Sequence, residues 1–517
     1  MKLNPVTRLA VRMQLHQLLG RWRLSLYSAV DFLMTIGPTL RQRRKLISRL
    51  EQDLPPHGDN TDLLSVTEAD RRADILRECI RSVAGLGEKP SQDDTLDDLW
   101  TEAAFVHRHA SRLLPYFRSL RARRVLYAGH CYYNNWYLSR GLREVGWRAD
   151  VLNIDSSPDT QIYYHGEDFS IDGDSADKAG PLRLYLDALY RYDVIHFSNA
   201  HNISFGGKLK HLFQKKLGRN SEIYLLRKLG KKVCYTNNGC LDGVRQSSFA
   251  KWGPESVCAS CRWQDVPEVC SDTRNRVWGK FRNSVTDYQC LLGGNRADYN
   301  RAPIVHEAPE AYCLDKDIWN PELEIPERFL LPSASTAEPT IRLYHAVGDM
   351  KNRTRGDGTN IKSTHIFLPL IDKLREEGHR LELISPTGVP NMEIRYLQNQ
   401  ADIFLEMLTF GWFGANAREA MMLGKPVICY IRPEWLESLR LEIPEYADEL
   451  PIVCATPETV EDVLRDLITD RDKRLEIGRR SREFAIKWHS KESAARRFDE
   501  TYSRLLLGDP ILVEHYA

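Results

Sequence analysis

Residues 410–430 read Phe410-Gly-Trp-Phe-Gly-Ala-Asn-Ala-Arg-Glu-Ala-Met-Met-Leu-Gly-Lys-Pro-Val-Ile-Cys-Tyr430. A strand-like run, Ile403 to Leu408, comes just before, and a second, Val427 to Ile431, closes the stretch. Between them Gly411 and Gly414 form a loop that turns into a helix from Ala415 to Leu423, stopped at Gly424. Strand, glycine loop, helix and strand in succession predict a βαβ unit. The free N–H groups at the start of such a helix point into the crevice at the strand ends, where they can hold phosphate. Glycines there let the backbone approach a ligand closely. Glu419 lies about one turn into the helix, where a carboxylate can accept hydrogen bonds from two adjacent ribose hydroxyls.

The alternation extends both ways. Around the stretch, strands are expected at Ile341 to Val347, Leu381 to Ser385 and Ile452 to Cys454, with helices at Thr364 to Glu377 and Val460 to Ile468. Upstream of the Pro332 to Pro339 linker, a second set begins with Val125 to Gly129, the helix Asn134 to Val145 and the strand Ala149 to Ile154. It continues with Asp193 to Phe197, the helix Ile223 to Leu229 and the strand Lys232 to Thr236. Two such arrays predict an α/β protein of two Rossmann-like, doubly wound domains facing a cleft, with ligands at the carboxyl ends of the strands. The expected boundaries are a helical N-terminal extension over 1–120, a first lobe over 121–331 with a Cys-rich insertion at 237–290, and a second lobe over 340–505. From Lys473 the chain reads as helical and basic.

Glu-Ala-Met-Met-Leu-Gly-Lys-Pro-Val, from Glu419 on, resembles the signature of the family-four glycosyltransferases, which have two Rossmann-like lobes (the GT-B fold). The resemblance implies that Glu419 contacts the donor ribose and that Phe413, Gly414 and Ala415 contribute to the sugar-diphosphate pocket. Asn360-Ile-Lys-Ser-Thr364 is similar to the family's basic loop, which implies that Lys362 neutralises the donor diphosphate, accompanied by Arg353 or Arg355. Cations so placed stabilise the departing diphosphate in the transition state. Two positions depart from the pattern. Gly411 stands where the family carries a Glu eight residues before the ribose-binding one, and Asn238 replaces a common His in Thr236-Asn-Asn-Gly-Cys240. Asn can hydrogen-bond a sugar hydroxyl but cannot shuttle a proton. His130 and His201 fall on expected crevice loops and can contact acceptor or phosphate. Trp412, Tyr132 and Trp136 can stack on sugar or base, or serve as core.

The family reading implies a retaining glycosyltransferase that moves a sugar from a nucleotide diphosphate-sugar to a glycan, lipid or other hydroxyl acceptor. With no Asp-x-Asp motif near the donor loops, no catalytic divalent ion is expected. Gly411 and Asn238 also admit an inactive scaffold that binds sugar nucleotide or glycan, and a sugar-nucleotide epimerase shares the two-lobed plan.

Cys240, Cys258, Cys261 and Cys270 cluster in a stretch rich in Gly, Pro, Trp and Ser. Cys258-Ala-Ser-Cys261 is one Cys-x2-Cys knuckle, and four thiolates at such spacing suit a tetrahedral structural zinc. Reduced thiols packed in a long insertion fit the same spacing.

Composition bounds the rest. The 517 residues, 28% charged and 42% apolar, are those of a globular chain, and a net charge of +1 argues against nucleic acid as a partner. No apolar run reaches the roughly 18 residues that cross a bilayer, and no signal-peptide succession opens the sequence, so a cytoplasmic protein is expected. Residues 1–50, however, hold ten Lys/Arg against one acid, Asp31, with apolar residues at helical spacing. A basic amphipathic helix suits peripheral contact with an anionic membrane face, or a helical cap with a solvated basic side.

Overall fold

The computed structural model describes residues 38–54, 62–129, 133–154, 165–171, 177–198, 202–237, 239–240, 242–252, 257–292, 296–332, 340–348 and 350–516. The chain divides into two compact units. One comprises Met1–Asn60 with Thr67–Leu120, and the other Thr61–Val66 with Arg121–Ala517.

The described part of the first unit is helical, over Pro38–Asp53, Val66–Ala84 and Leu96–Arg118. Thr95 starts the last of these with a capping box, its side chain accepting from Asp98 N–H while Asp98 accepts from Thr95 N–H. Leu76, Ile80, Leu99, Val106 and Leu113 are buried. Among them Glu102 is held by Arg77 Nε at 2.8 Å and Arg81 Nη1 at 2.7 Å, so the buried carboxylate is fully paired. The rest of the basic stretch 1–50, residues 1–37, lies outside the described residues.

The second unit contains two parallel sheets. The first has the order β3-β2-β1-β4-β5-β6-β7, with β1 at Arg124–Ala128, β2 at Arg148–Asn153, β3 at Phe169–Ser170, β4 at Val194–Phe197, β5 at Lys232–Asn237, β6 at Tyr288–Leu291 and β7 at Val305–Glu307. The second has the order β12-β11-β10-β8-β9, with β8 at Ile341–Tyr344, β9 at Leu381–Ile384, β10 at Ile403–Leu405, β11 at Val427–Cys429 and β12 at Val453–Cys454. Every described strand pair is parallel, Val125 facing Val194 and Tyr344 facing Phe404. Parallel strands covered by helices on both faces are buried on both, which is why β1, β4 and β11 read as unbroken buried runs. The α/β architecture with two doubly wound sheets is therefore the one the alternation predicts.

In the second sheet β8 lies between β9 and β10, so the strand order reverses at β8/β10. A crevice opens at the carboxyl ends of such a pair. Ile341, Leu343, Ile403 and Leu405 pack with Phe367, Leu374, Leu464 and Leu467 of the helices Thr364–Glu376 and Val460–Thr469 to form the core behind that crevice.

The last helix, Lys491–Leu507, follows the second sheet in sequence but packs on the helix Asn134–Glu144 of the first. Tyr502 OH lies 3.1 Å from Tyr127 OH and 2.6 Å from His196 Nδ1, and Trp147 Nε1 donates to Asp499 at 2.8 Å. The helices approach so closely at Gly141 that a Cβ there would sit 2.5 Å from the Lys491 carbonyl oxygen.

Candidate functional site

A cleft of about 360 Å³ opens where the two sheets face each other. Tyr133, Gly239, Leu292 and Tyr312 line it from the first sheet's side. From the second side come Arg353, Lys362, Asn391, Trp412, Gly414, Ala415 and Glu419. Of the residues singled out from sequence, the cleft thus brings together Arg353, Lys362, Trp412, Gly414, Ala415 and Glu419.

Lys362 is positioned by the turn that precedes the helix Thr364–Glu376. Asn360 Oδ1 accepts from Lys362 N–H at 3.0 Å and Thr364 N–H at 3.3 Å. Ser363 takes a left-handed backbone, φ +62°, and its hydroxyl accepts from Leu408 N–H at 3.0 Å. A non-glycine residue held in that conformation costs about 1–3 kcal/mol, which the surrounding hydrogen bonds offset. The lysine ammonium is buried against Glu406, 3.0 and 2.9 Å from its two carboxylate oxygens.

Gly414 caps the helix Ala415–Met422. A Cβ on Gly414 would sit 3.3 Å from Lys362 Nζ, so the helix start and the ammonium face the same space. Phe413, by contrast, is wholly buried. Arg418 fixes this loop from behind, its Nη1 donating to the carbonyls of Phe413 at 3.2 Å and Gly414 at 3.0 Å. Its guanidinium lies over the rings of Phe413, Tyr312 and Trp412, between 4.7 and 4.9 Å from their centroids.

Glu419 is 3% exposed and accepts hydrogen bonds from three side chains. Tyr133 OH donates to Oε1 at 2.6 Å, Gln398 Nε2 to Oε2 at 2.6 Å, and Asn391 Nδ2 to Oε1 at 3.4 Å. Burial pushes its pKa above the usual carboxylate range, against the pull of these donors. Asn391 in turn holds His165 Nε2 at 2.9 Å, and that ring stacks on Trp136, beneath Arg140. Trp136 is thus packed on protein rather than open to the cleft.

Arg353 lines the cleft, whereas Arg355 turns to Asp357 at 3.4 Å and to the Cys261 carbonyl at 3.3 Å. His130 and Asn238, the sequence candidates for the catalytic step, lie outside the described residues, as do His201 and Tyr132. Gly411 has φ +83°, and a Cβ there would sit 2.7 Å from Arg432 Cβ. A side chain here would be strained by the backbone and would press on Arg432, so this loop does not accommodate the expected glutamate. The residues that sequence reasoning passed over are Glu406, Tyr133, Gln398, Asn391 and Arg418. Glu406 left one signal, an acid at the end of an otherwise apolar strand.

Cys240, Cys258, Cys261 and Cys270 all line a second, smaller cavity of about 80 Å³, together with Ile361 and Phe410. All four are free thiols. Among the described residues no group of three or more His, Cys, Asp or Glu side chains stands in a geometry that could hold a metal ion.

No protein-family model matches the chain, and no curated protein sequence matches it. Solved structures are similar at low level. A glycosyltransferase from Rickettsia africae ESF-5 is 12% identical over 74% of this chain and 98% of its own, with a TM-score of 0.43. Anabaena Alr3699/HepE, solved in complex with UDP-glucose, is 13% identical over 74% of this chain and 99% of its own, also at 0.43. The catalytic domain of starch synthase IV from Arabidopsis thaliana, bound to ADP and acarbose, is 12% identical over 74% and 99%, at 0.41. Likeness at this level decides nothing about substrate or reaction. No described helix is long and apolar enough to cross a membrane.

Proposed function

We propose that the cleft binds a nucleotide diphosphate-sugar and that the protein is a glycosyltransferase. The observation that carries this reading is the convergence of Lys362, the Gly414–Ala415 helix start and Glu419 on one cleft at the strand-order reversal. A cation and free N–H groups suit a diphosphate, and a carboxylate one helical turn away suits a ribose diol. Lys362, Arg353 and the backbone at Gly414–Ala415 hold the diphosphate, and Glu419 holds the ribose. Donor entry exchanges the Tyr133 hydroxyl on Glu419 Oε1 for a ribose hydroxyl. Glu406 fixes the ammonium in place, so it is a positioning residue.

The transfer step retains anomeric configuration in this reading. The acceptor hydroxyl forms its bond to the anomeric carbon on the face that the diphosphate leaves. The carbon–oxygen bond to phosphate breaks with its electron pair, and the acceptor proton passes to the departing phosphate oxygen. Lys362 stabilises the charge that develops there, the task a divalent ion performs in other enzymes. Asn238 and His130 are proposed to meet the acceptor, whose class is a glycan, lipid or other hydroxyl compound. The basic segment within 1–50 is proposed to bring the protein to an anionic membrane face.

Gly411 favours one second reading, a scaffold that binds the donor without turnover, because no carboxylate can occupy that position. Incubation with each sugar nucleotide and a panel of hydroxyl acceptors separates the two. Acceptor-dependent release of nucleoside diphosphate with a glycosylated product supports the enzyme. Saturable donor binding with neither product supports the scaffold. Isomerised sugar nucleotide without acceptor means an epimerase.

A further inference from the structure

The thiol-lined cavity lies at the junction of three chain segments whose ends are fixed independently. Cys240 follows β5, where Asp242 is buried and takes hydrogen bonds from Tyr235 OH and Trp278 Nε1, both at 2.6 Å. Arg282 adds an ion pair to Asp242 at 3.4 Å. Cys270 directly precedes Ser271, which caps the helix Asp272–Val285 by accepting from Arg274 N–H, and Asp272 Oδ1 accepts from Ser247 N–H at 2.9 Å. Between these anchors the knuckle Cys258–Cys261 makes one tight turn, Cys261 N–H donating to the Cys258 carbonyl at 3.0 Å. The Trp263 N–H donates to Cys261 Sγ at 3.4 Å. Phe249, Val257, Ile361 and Phe410 form its apolar walls, with Gln246, Gln264 and Asn275 also lining it.

Four free thiols face one hollow, and the insertion lacks a periodic apolar pattern of its own to order it. The knuckle also touches the second lobe's donor loops. Arg262 donates to the Lys351 carbonyl and Arg355 to the Cys261 carbonyl. Ile361 is next to Lys362, and Phe410 opens the glycine loop.

We propose that Cys240, Cys258, Cys261 and Cys270 bind one zinc ion as a closed tetrathiolate, and that this ion clamps the insertion against the loops carrying Lys362 and Trp412. The thiol side chains close by rotation onto the ion, and each gives up its proton to solvent on binding. With four protein ligands the ion has no open position, and its part is structural.

The test uses the full chain purified under reducing conditions with zinc supplied during expression. Elemental analysis is expected to give one zinc per chain, unchanged in Cys454→Ser and lost in the Cys258→Ser/Cys261→Ser double variant. Cobalt in place of zinc is expected to give the intense visible bands and the sulfur-to-metal charge-transfer band of tetrahedral thiolate cobalt. On chelation, backbone amide exchange should rise over 257–271 and over 408–413. A wild-type chain without zinc, or with iron instead, overturns the site. Zinc bound with exchange over 408–413 unaltered by chelation overturns the clamp. Neither readout involves a sugar nucleotide, so the outcome is separable from that of the donor reading.

Discussion

Gly411 and Glu406 show how single residues set the site. A left-handed backbone with Arg432 Cβ pressed against it leaves room for hydrogen alone at Gly411. Gly411→Ala should therefore lose about 1–3 kcal/mol of stability from backbone strain and more from the clash, read as an earlier urea midpoint. An unchanged midpoint would mean that the loop relaxes freely. Glu406 and Lys362 form a buried pair, their side chains 1% and 10% exposed. Removing one partner strands the other charge, so Glu406→Ala should cost about 3–5 kcal/mol. The double variant Glu406→Leu/Lys362→Met should recover most of that stability while binding no sugar nucleotide. Recovery of both would remove Lys362 from the donor site. The string around Glu419 was legible because strand, glycine and helix leave local marks. The acceptors and donors that complete it were not, since Tyr133 reaches Glu419 across 286 residues of sequence.

At the scale of elements, the helix Lys491–Leu507 is the informative one. Its helical, basic character was legible, but nothing in its sequence named the first sheet as its partner. Tyr502 docks there on His196, a histidine buried in β4 whose other nitrogen lies 2.7 Å from Thr236 Oγ1. Burial pushes the His196 pKa down to about 3, so the folded protein keeps the ring neutral. The unfolded chain takes up the proton near pH 6.5. A depressed folded value means stability fully present above pH 6.5 and lost as pH falls toward 3. The stability advantage of wild type over His196→Gln should therefore shrink by about 1.4 kcal/mol per pH unit across that window. Denaturant unfolding at pH 7, 6 and 5 checks it, and a constant difference would show that the ring takes up its proton in the fold as it does in the unfolded chain. The short strands β3 and β7 escaped the sequence reading because two or three residues carry no periodicity.

At the scale of the molecule, two parallel sheets followed from the alternation of apolar runs and amphipathic helices, while the cleft's volume and contents depend on contacts that no local pattern encodes. The basic segment stands apart from that argument. A chain lacking residues 1–37, which keeps the helix Pro38–Asp53 whole, should bind sugar nucleotide as wild type does and lose cosedimentation with anionic vesicles. Equal cosedimentation would reduce the segment to a solvated basic face. The claim on which the account turns is that Glu419 and Lys362 belong to a nucleotide diphosphate-sugar site. Thermal unfolding of the full chain with millimolar UDP-, GDP-, ADP- and CDP-sugars tests it most directly, beside Glu419→Ala and Lys362→Ala shown to be folded by circular dichroism. One nucleotide class should raise apparent stability by about 1–3 kcal/mol, as ligand at ten to a hundred times Kd does, and both variants should abolish the rise. No rise with any donor, or a rise that survives both substitutions, would contradict the account.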